Sequence, residues 1–247
     1  MAADVDVVRK ALRATMLADL PITPAPGDCL MISGLDPADV LPAWRTAHAA
    51  MPSTGRRPLL LDRAPTGVAF TTPDAREDPW PALARPWWDL PLTGDTPQVP
   101  GFLTIDVRRD VPDPTTRTVN RYVYERVRAD SGLRGLVPPY ADRLTGIRNW
   151  QRPERVELLL PPTTEAHLPA AWTGLPPAVL RCWYEQWRAE LVAAWDGARQ
   201  FVVGRRPETA DDAFTLACQI ATVAGRLEMN LWEIALAVTD GEEWILT

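Results

Sequence analysis

Apolar positions recur at helical spacing over residues 4–18, where Val5, Val8, Leu12 and Met16, with Leu20 beyond, fall near one stripe. The run P-I-T-P-A-P-G at 21–27 closes that helix, because successive prolines remove donors and restrict the backbone. Cys29 to Ile32 then reads as a short strand. Asp36-Pro37 has the Ncap–N1 form of a helix start and predicts a helix over 37–49. Pro42 falls inside this helix but close enough to its first turns to shift the start rather than forbid it. S-T-G-R-R-P-L-L-L-D supplies a turn and a buried strand at 58–62.

Residues 64–100 follow neither period. They contain T-P-D-A-R-E-D-P-W-P-A-L-A-R-P-W-W-D-L-P and read as a long, ordered, irregular connection in which Trp80, Trp87 and Trp88 need somewhere to pack. Phe102 to Val107 is expected to form a strand, whereas Tyr122 to Val127 fits an extended or a helical segment equally. The second half is better punctuated. Arg155 to Leu160 reads as a strand closed by P-P-T-T, residues 177–194 as a helix, and Phe201 to Val203 as a strand. Thr209 is placed to cap a helix over 210–224, with Asp211 and Asp212 in the first turn, where carboxylates suit exposed amides. A helix from Leu231 to Val238 and a strand from Trp244 to Leu246 complete the chain.

The nearly apolar strands at 58–62 and 156–160 call for central positions in a sheet. The expected fold class is therefore α+β, with a mixed sheet or two small sheets covered by helices. By pattern, the chain divides into an N-terminal α/β region, 1–150, and a C-terminal α+β domain, 151–247.

The net charge of −6 and pI near 5.1 argue against general attraction to a nucleic-acid backbone. Arg56-Arg57, Arg108-Arg109 and Arg205-Arg206 are too short to make a basic patch and read as solvated arginines at strand ends. The acidic start M-A-A-D-V-D-V-V-R-K does not read as a signal peptide, and no stretch has the length to span a bilayer. A cytoplasmic protein without membrane partners is expected. Cys29, Cys182 and Cys218 are odd in number and widely spaced, which fits buried, reduced thiols. The enrichment lies in proline, at 26 residues, and tryptophan, at 11.

Candidate chemistry is sparse. His48 and His167 lack short-range Cys or His partners, so no metal site is assigned. Cys182 or Cys218 could pair with His167 as nucleophile and base, but both cysteines sit in apolar runs that packing explains. No segment has the glycine pattern of a phosphate-binding loop, and no cofactor is expected. Trp183 and Trp187 are four residues apart and share a helical face. That face is either a core stripe or, beside Arg188, a contact surface for another protein. Trp87 and Trp88 form the second contact candidate, held in a proline-rich setting, with anchoring into the core as the alternative.

Four stretches carry a resemblance: A-A-W-T-G at 170–174, V-L-R-C-W-Y-E-Q-W-R-A-E-L-V at 179–192, R-R-P-E-T-A-D-D-A-F-T-L-A at 205–217, and W-R-T-A-H-A-A-M-P-S-T-G-R-R-P-L-L-L at 44–61. In these the chain resembles the bacterial domain-of-unknown-function family 4253, most closely from Arg155 onward. It departs from that family by continuing C-Q-I-A-T-V-A-G-R-L where members often have F-C-P-D. The resemblance implies a fold and supplies no agreed catalytic residues. The expected function is a noncatalytic protein-binding or accessory role, immunity-like in bacterial conflict systems. The alternative is a small-substrate hydrolase whose site assembles only in three dimensions.

Overall fold

The computed structural model describes residues 2–63, 78–83, 86–92, 99–137, 153, 155–195, 197–224 and 229–246. In chain order the first elements are α1 (Ala2–Leu12), β1 (Ile22–Ala25), β2 (Cys29–Ile32), α2 (Val40–Ala49), α3 (Met51–Thr54) and β3 (Leu59–Leu61). Next come α4 (Trp80–Leu83), a 3-10 turn at Pro86–Asp89, α5 (Val107–Asp110), α6 (Thr116–Ala129) and α7 (Ser131–Leu136). After β4 (Glu157–Leu160) and a 3-10 turn at Leu168–Trp172 follow α8 (Pro177–Trp187), β5 (Ala189–Trp195) and β6 (Ala198–Val203). The last three are α9 (Ala210–Val223), α10 (Leu231–Asp240) and β7 (Glu243–Leu246). The result is a mixed α+β fold with a mixed sheet flanked by helices. No described helix is long and apolar enough to cross a membrane.

Contacts divide the chain into two compact units, Met1–Asp78 with Gln151–Val202, and Pro79–Trp150 with Val203–Thr247. In the first unit the strands run in the order β1-β2-β4-β3-β5-β6. Neighbours are antiparallel from β1 to β3, and β3 and β5 are parallel. Both leucine-rich strands occupy the centre as their composition requires: Leu59↔Leu159 and Leu60↔Leu158 pair directly, and all four are fully buried. Alternate faces of these strands both meet protein, which is why polar alternation is missing from their sequences. Helices α1, α2 and α8 pack on β1, β3 and β5 respectively or on elements beside them.

Three expectations shift here. The first helix stops at Leu12, and residues 13–20 continue as turns, with the Thr15 hydroxyl donating to the Leu12 carbonyl at 2.8 Å. The second begins at Val40, because Asp36 accepts from the Ala38 amide at 2.8 Å and makes a separate turn ahead of it. The predicted helix over 177–194 ends at Trp187. Arg188 takes the left-handed conformation, φ 50°, and the chain leaves immediately as β5, whose A-E-L-V-A-A-W is almost wholly buried. Leucine, valine and alanine suit either period, so tertiary burial decides it.

The second unit is mainly helical. Thr115 caps α6 with a reciprocal pair of bonds to Thr118, at 3.1 and 2.8 Å. The buried stripe Val119, Asn120, Val123, Tyr124 and Val127 resolves the ambiguous segment as helix. Helix α10 packs between α6 and α9, and Tyr124 meets Thr239 at 3.1 Å. Thr209 caps α9 as expected, accepting from the Asp212 amide at 3.1 Å. The predicted strand at Phe102–Val107 is absent. Asp106 instead accepts from the Arg109 amide at 3.3 Å and starts the short α5. Of the proline- and tryptophan-rich segment, residues 64–77, 84–85 and 93–98 lie outside the described residues.

Candidate functional site

Within the first unit, charged side chains converge at the start of β3. Gly55 caps α3 in the left-handed region at φ 66° and turns the chain into Arg56-Arg57-Pro58. Both arginines are buried, at 6% and 3% exposure, which corrects the expectation of solvated strand-end arginines. Arg56 donates to the carbonyls of Asp28 and Leu160 at 2.8 and 2.9 Å and ties the β1–β2 turn to β4. Arg57 donates to the Thr164 carbonyl from Nε and Nη2 at 3.0 and 2.7 Å. Its Nη1 bonds Glu190. A buried guanidinium is tolerated only when its donors are met in this way. The other two pairs are exposed as expected, although Arg108 and Arg109 lie in α5 rather than at a strand end.

Glu190 lies on β5 and is met by two side chains, Arg57 and His48. His48 on α2 approaches Glu190 Oε2 with Nε2 at 2.8 Å, the oxygen also bonded by Arg57. The imidazole stacks on Trp44 one turn earlier, with centroids 4.8 Å apart, and the Trp44 indole donates to the Pro58 carbonyl at 3.0 Å. Burial alone would raise the Glu190 carboxyl. The His48 hydrogen bond and the Arg57 charge outweigh it and hold the group below the ordinary glutamate range.

Tyr184, on the last turn of α8, carries Arg57 and Arg188 at 5.7 and 5.2 Å from its ring centroid. Arg57 is fully engaged in the interior. Arg188 is exposed, and no carboxylate lies within ion-pair distance of it among the described residues. A non-glycine residue in the left-handed region costs about 1 kcal/mol. The stacked, strained Arg188 therefore presents an uncompensated charge from a fixed position.

The sequence candidates separate. Trp183 is fully buried and meets Phe201 edge-on, with centroids 5.4 Å apart at 86°. Trp187 is 7% exposed, so the shared face of these two is core, while Arg188 beside them is surface. Trp88, in the second unit, is 5% exposed and lies under the Arg117 guanidinium, which binds Asp89 through two bonds at 2.6 and 3.1 Å. Trp87 shares that 3-10 turn, and its side chain lies outside the described residues. Burial pushes the thiols of Cys29 and Cys218 up to about 11 and raises that of Cys182. His48 joins a cluster, where the spacing of histidines and cysteines had suggested nothing.

Arg57, Tyr184 and Glu190 escaped the sequence reading because their positions are 57, 184 and 190, brought together only by the parallel pairing of β3 with β5. The one available signal was the double arginine before a leucine run. Chemically, the cluster offers an exposed guanidinium for an anionic group and an imidazole oriented by a carboxylate. Comparison with protein-family models, with curated proteins and with solved structures finds no match.

Proposed function

We propose that this protein is a noncatalytic protein-binding or accessory protein, immunity-like in role and cytoplasmic. The observation that carries the reading is Arg188, an exposed guanidinium stacked on Tyr184 with no carboxylate partner among the described residues. Interface anchors are enriched in arginine and aromatic groups, and a residue held in a sparsely populated backbone region is a reason to look for function. The stretch V-L-R-C-W-Y-E-Q-W-R-A-E-L-V at 179–192, which resembles family 4253, includes both Tyr184 and Arg188. Affinity capture from the native host with the wild-type and Arg188→Gln proteins tests it. The expected result is one stoichiometric partner retained by the wild type and lost by the folded variant. Equal recovery on both baits would remove Arg188 from the interface, and an empty wild-type bait would remove the reading.

One observation favours the hydrolase alternative. A histidine whose Nε2 is held at 2.8 Å by a largely buried carboxylate has the orienting half of a general-base arrangement. Turnover of small ester substrates that disappears in His48→Gln would move the assignment there.

A further inference from the structure

We infer that Glu157, the first residue of β4, anchors a ligand site for a small cation bearing N–H donors, an alkylguanidinium or primary ammonium group. Glu157 is 2% exposed although it stands among leucines at the centre of the sheet. It pairs with Leu61 across the antiparallel β3–β4 ladder, and Leu61 pairs with Ala194 across the parallel β3–β5 ladder. Laterally paired residues project from the same face, so the carboxylate lies in a row with two buried apolar side chains.

Its hydrogen bonding is incomplete. Oε1 accepts from Arg155 Nε at 2.5 Å, and Oε2, also buried, has no hydrogen-bond partner among the described residues. A carboxylate has about four acceptor sites, and an unsatisfied buried oxygen calls for a reason. Sheet stability is a poor one, because well-packed apolar residues commonly serve as well as a buried ion pair. The cation now on Glu157 shows the chemistry it accepts. Arg155 is 76% exposed and reaches inward from the rim to a carboxylate that is 2% exposed, so its guanidinium can swing out to solvent while another N–H donor takes its place.

Position supports the same reading. Glu157 lies beside Leu61, the last residue of β3, at the carboxyl end of the parallel β3–β5 pair. In doubly wound parallel sheets ligands collect at that end, and β3 with β5 supplies one such parallel pair here. The site uses none of the residues around Arg188 and holds whichever functional reading applies there.

Methylguanidinium is the probe, with tetramethylammonium, which has no N–H donor, as the control. The readout is the methyl NMR shifts of Leu61 and Leu159 on titration of the wild type, Arg155→Ala and Glu157→Gln. We expect saturable shifts with methylguanidinium alone, lost in Glu157→Gln. In Arg155→Ala binding should be about fivefold tighter, the effect of removing one competing hydrogen-bonded donor from Glu157. No saturable shift in the well-folded Arg155→Ala protein overturns the proposal. Equal shifts in Glu157→Gln, or equal shifts with tetramethylammonium, overturn it as well. If Glu157→Gln does not fold, the Arg155→Ala titration and the control cation still decide.

Discussion

Arg57 and Glu190, 133 residues apart in sequence, form a largely buried ion pair whose carboxylate oxygen is shared with His48. Removing one partner leaves the other charge without compensation in a low-dielectric setting. Glu190→Ala is therefore expected to lower stability by about 3 kcal/mol, as is typical of broken buried pairs. His48→Ala, which removes one partner from a carboxylate that keeps Arg57, should cost about 1 kcal/mol. Urea denaturation of the three proteins at neutral pH gives both differences.

The same pair sets a pH dependence. The folded-state pKa of Glu190 is depressed, so its contribution is fully present above the unfolded glutamate value of about 4.3. It is lost as pH falls from there through the folded value. Wild-type stability should fall more steeply than that of Glu190→Gln in this acidic window, and the two curves should run parallel at neutral pH. Parallel curves throughout would show that the pair does not form.

Arg188 holds the left-handed conformation at the end of α8. Glycine adopts that conformation without a Cβ penalty, so Arg188→Gly should stabilise the fold by about 0.5–1 kcal/mol. The same variant should lose the captured partner. A rise in Tm together with loss of binding would mark Arg188 as kept for contact at the expense of stability.

Trp183 is fully buried against Phe201. Trp183→Ala should cost about 3–5 kcal/mol through cavity formation, or prevent folding. Near-UV circular dichroism and urea denaturation measure this. Trp88→Ala, beneath the partly exposed Arg117–Asp89 pair, tests whether the second unit depends on its tryptophan in the same way.

The three cysteines are free and buried, and burial raises Cys29 and Cys218 to about 11. At pH 8 the folded protein should react with a thiol-specific disulfide reagent far more slowly than the urea-unfolded chain, because the thiolate is the nucleophile. Rapid modification of the native protein would show that a thiol is accessible and ionised.

Local chemistry alone was enough for several elements. The Thr209 cap with Asp211-Asp212 located α9, and the unbroken leucine runs placed β3 and β4 at the centre of the sheet. Capping depends on neighbours three residues apart, and a strand buried on both faces must be apolar throughout, so both are written in short windows. Other outcomes needed the tertiary structure. The residues after Trp187 could continue a helix or open a strand, and the place beside β3 made them β5. The Trp183–Trp187 face was open to core or contact until the sheet covered it. Arg56 and Arg57 look like any exposed pair until distant carbonyls and Glu190 supply their partners. Burial and charge compensation are long-range properties, set by which strands become neighbours, and no local pattern of residues encodes them.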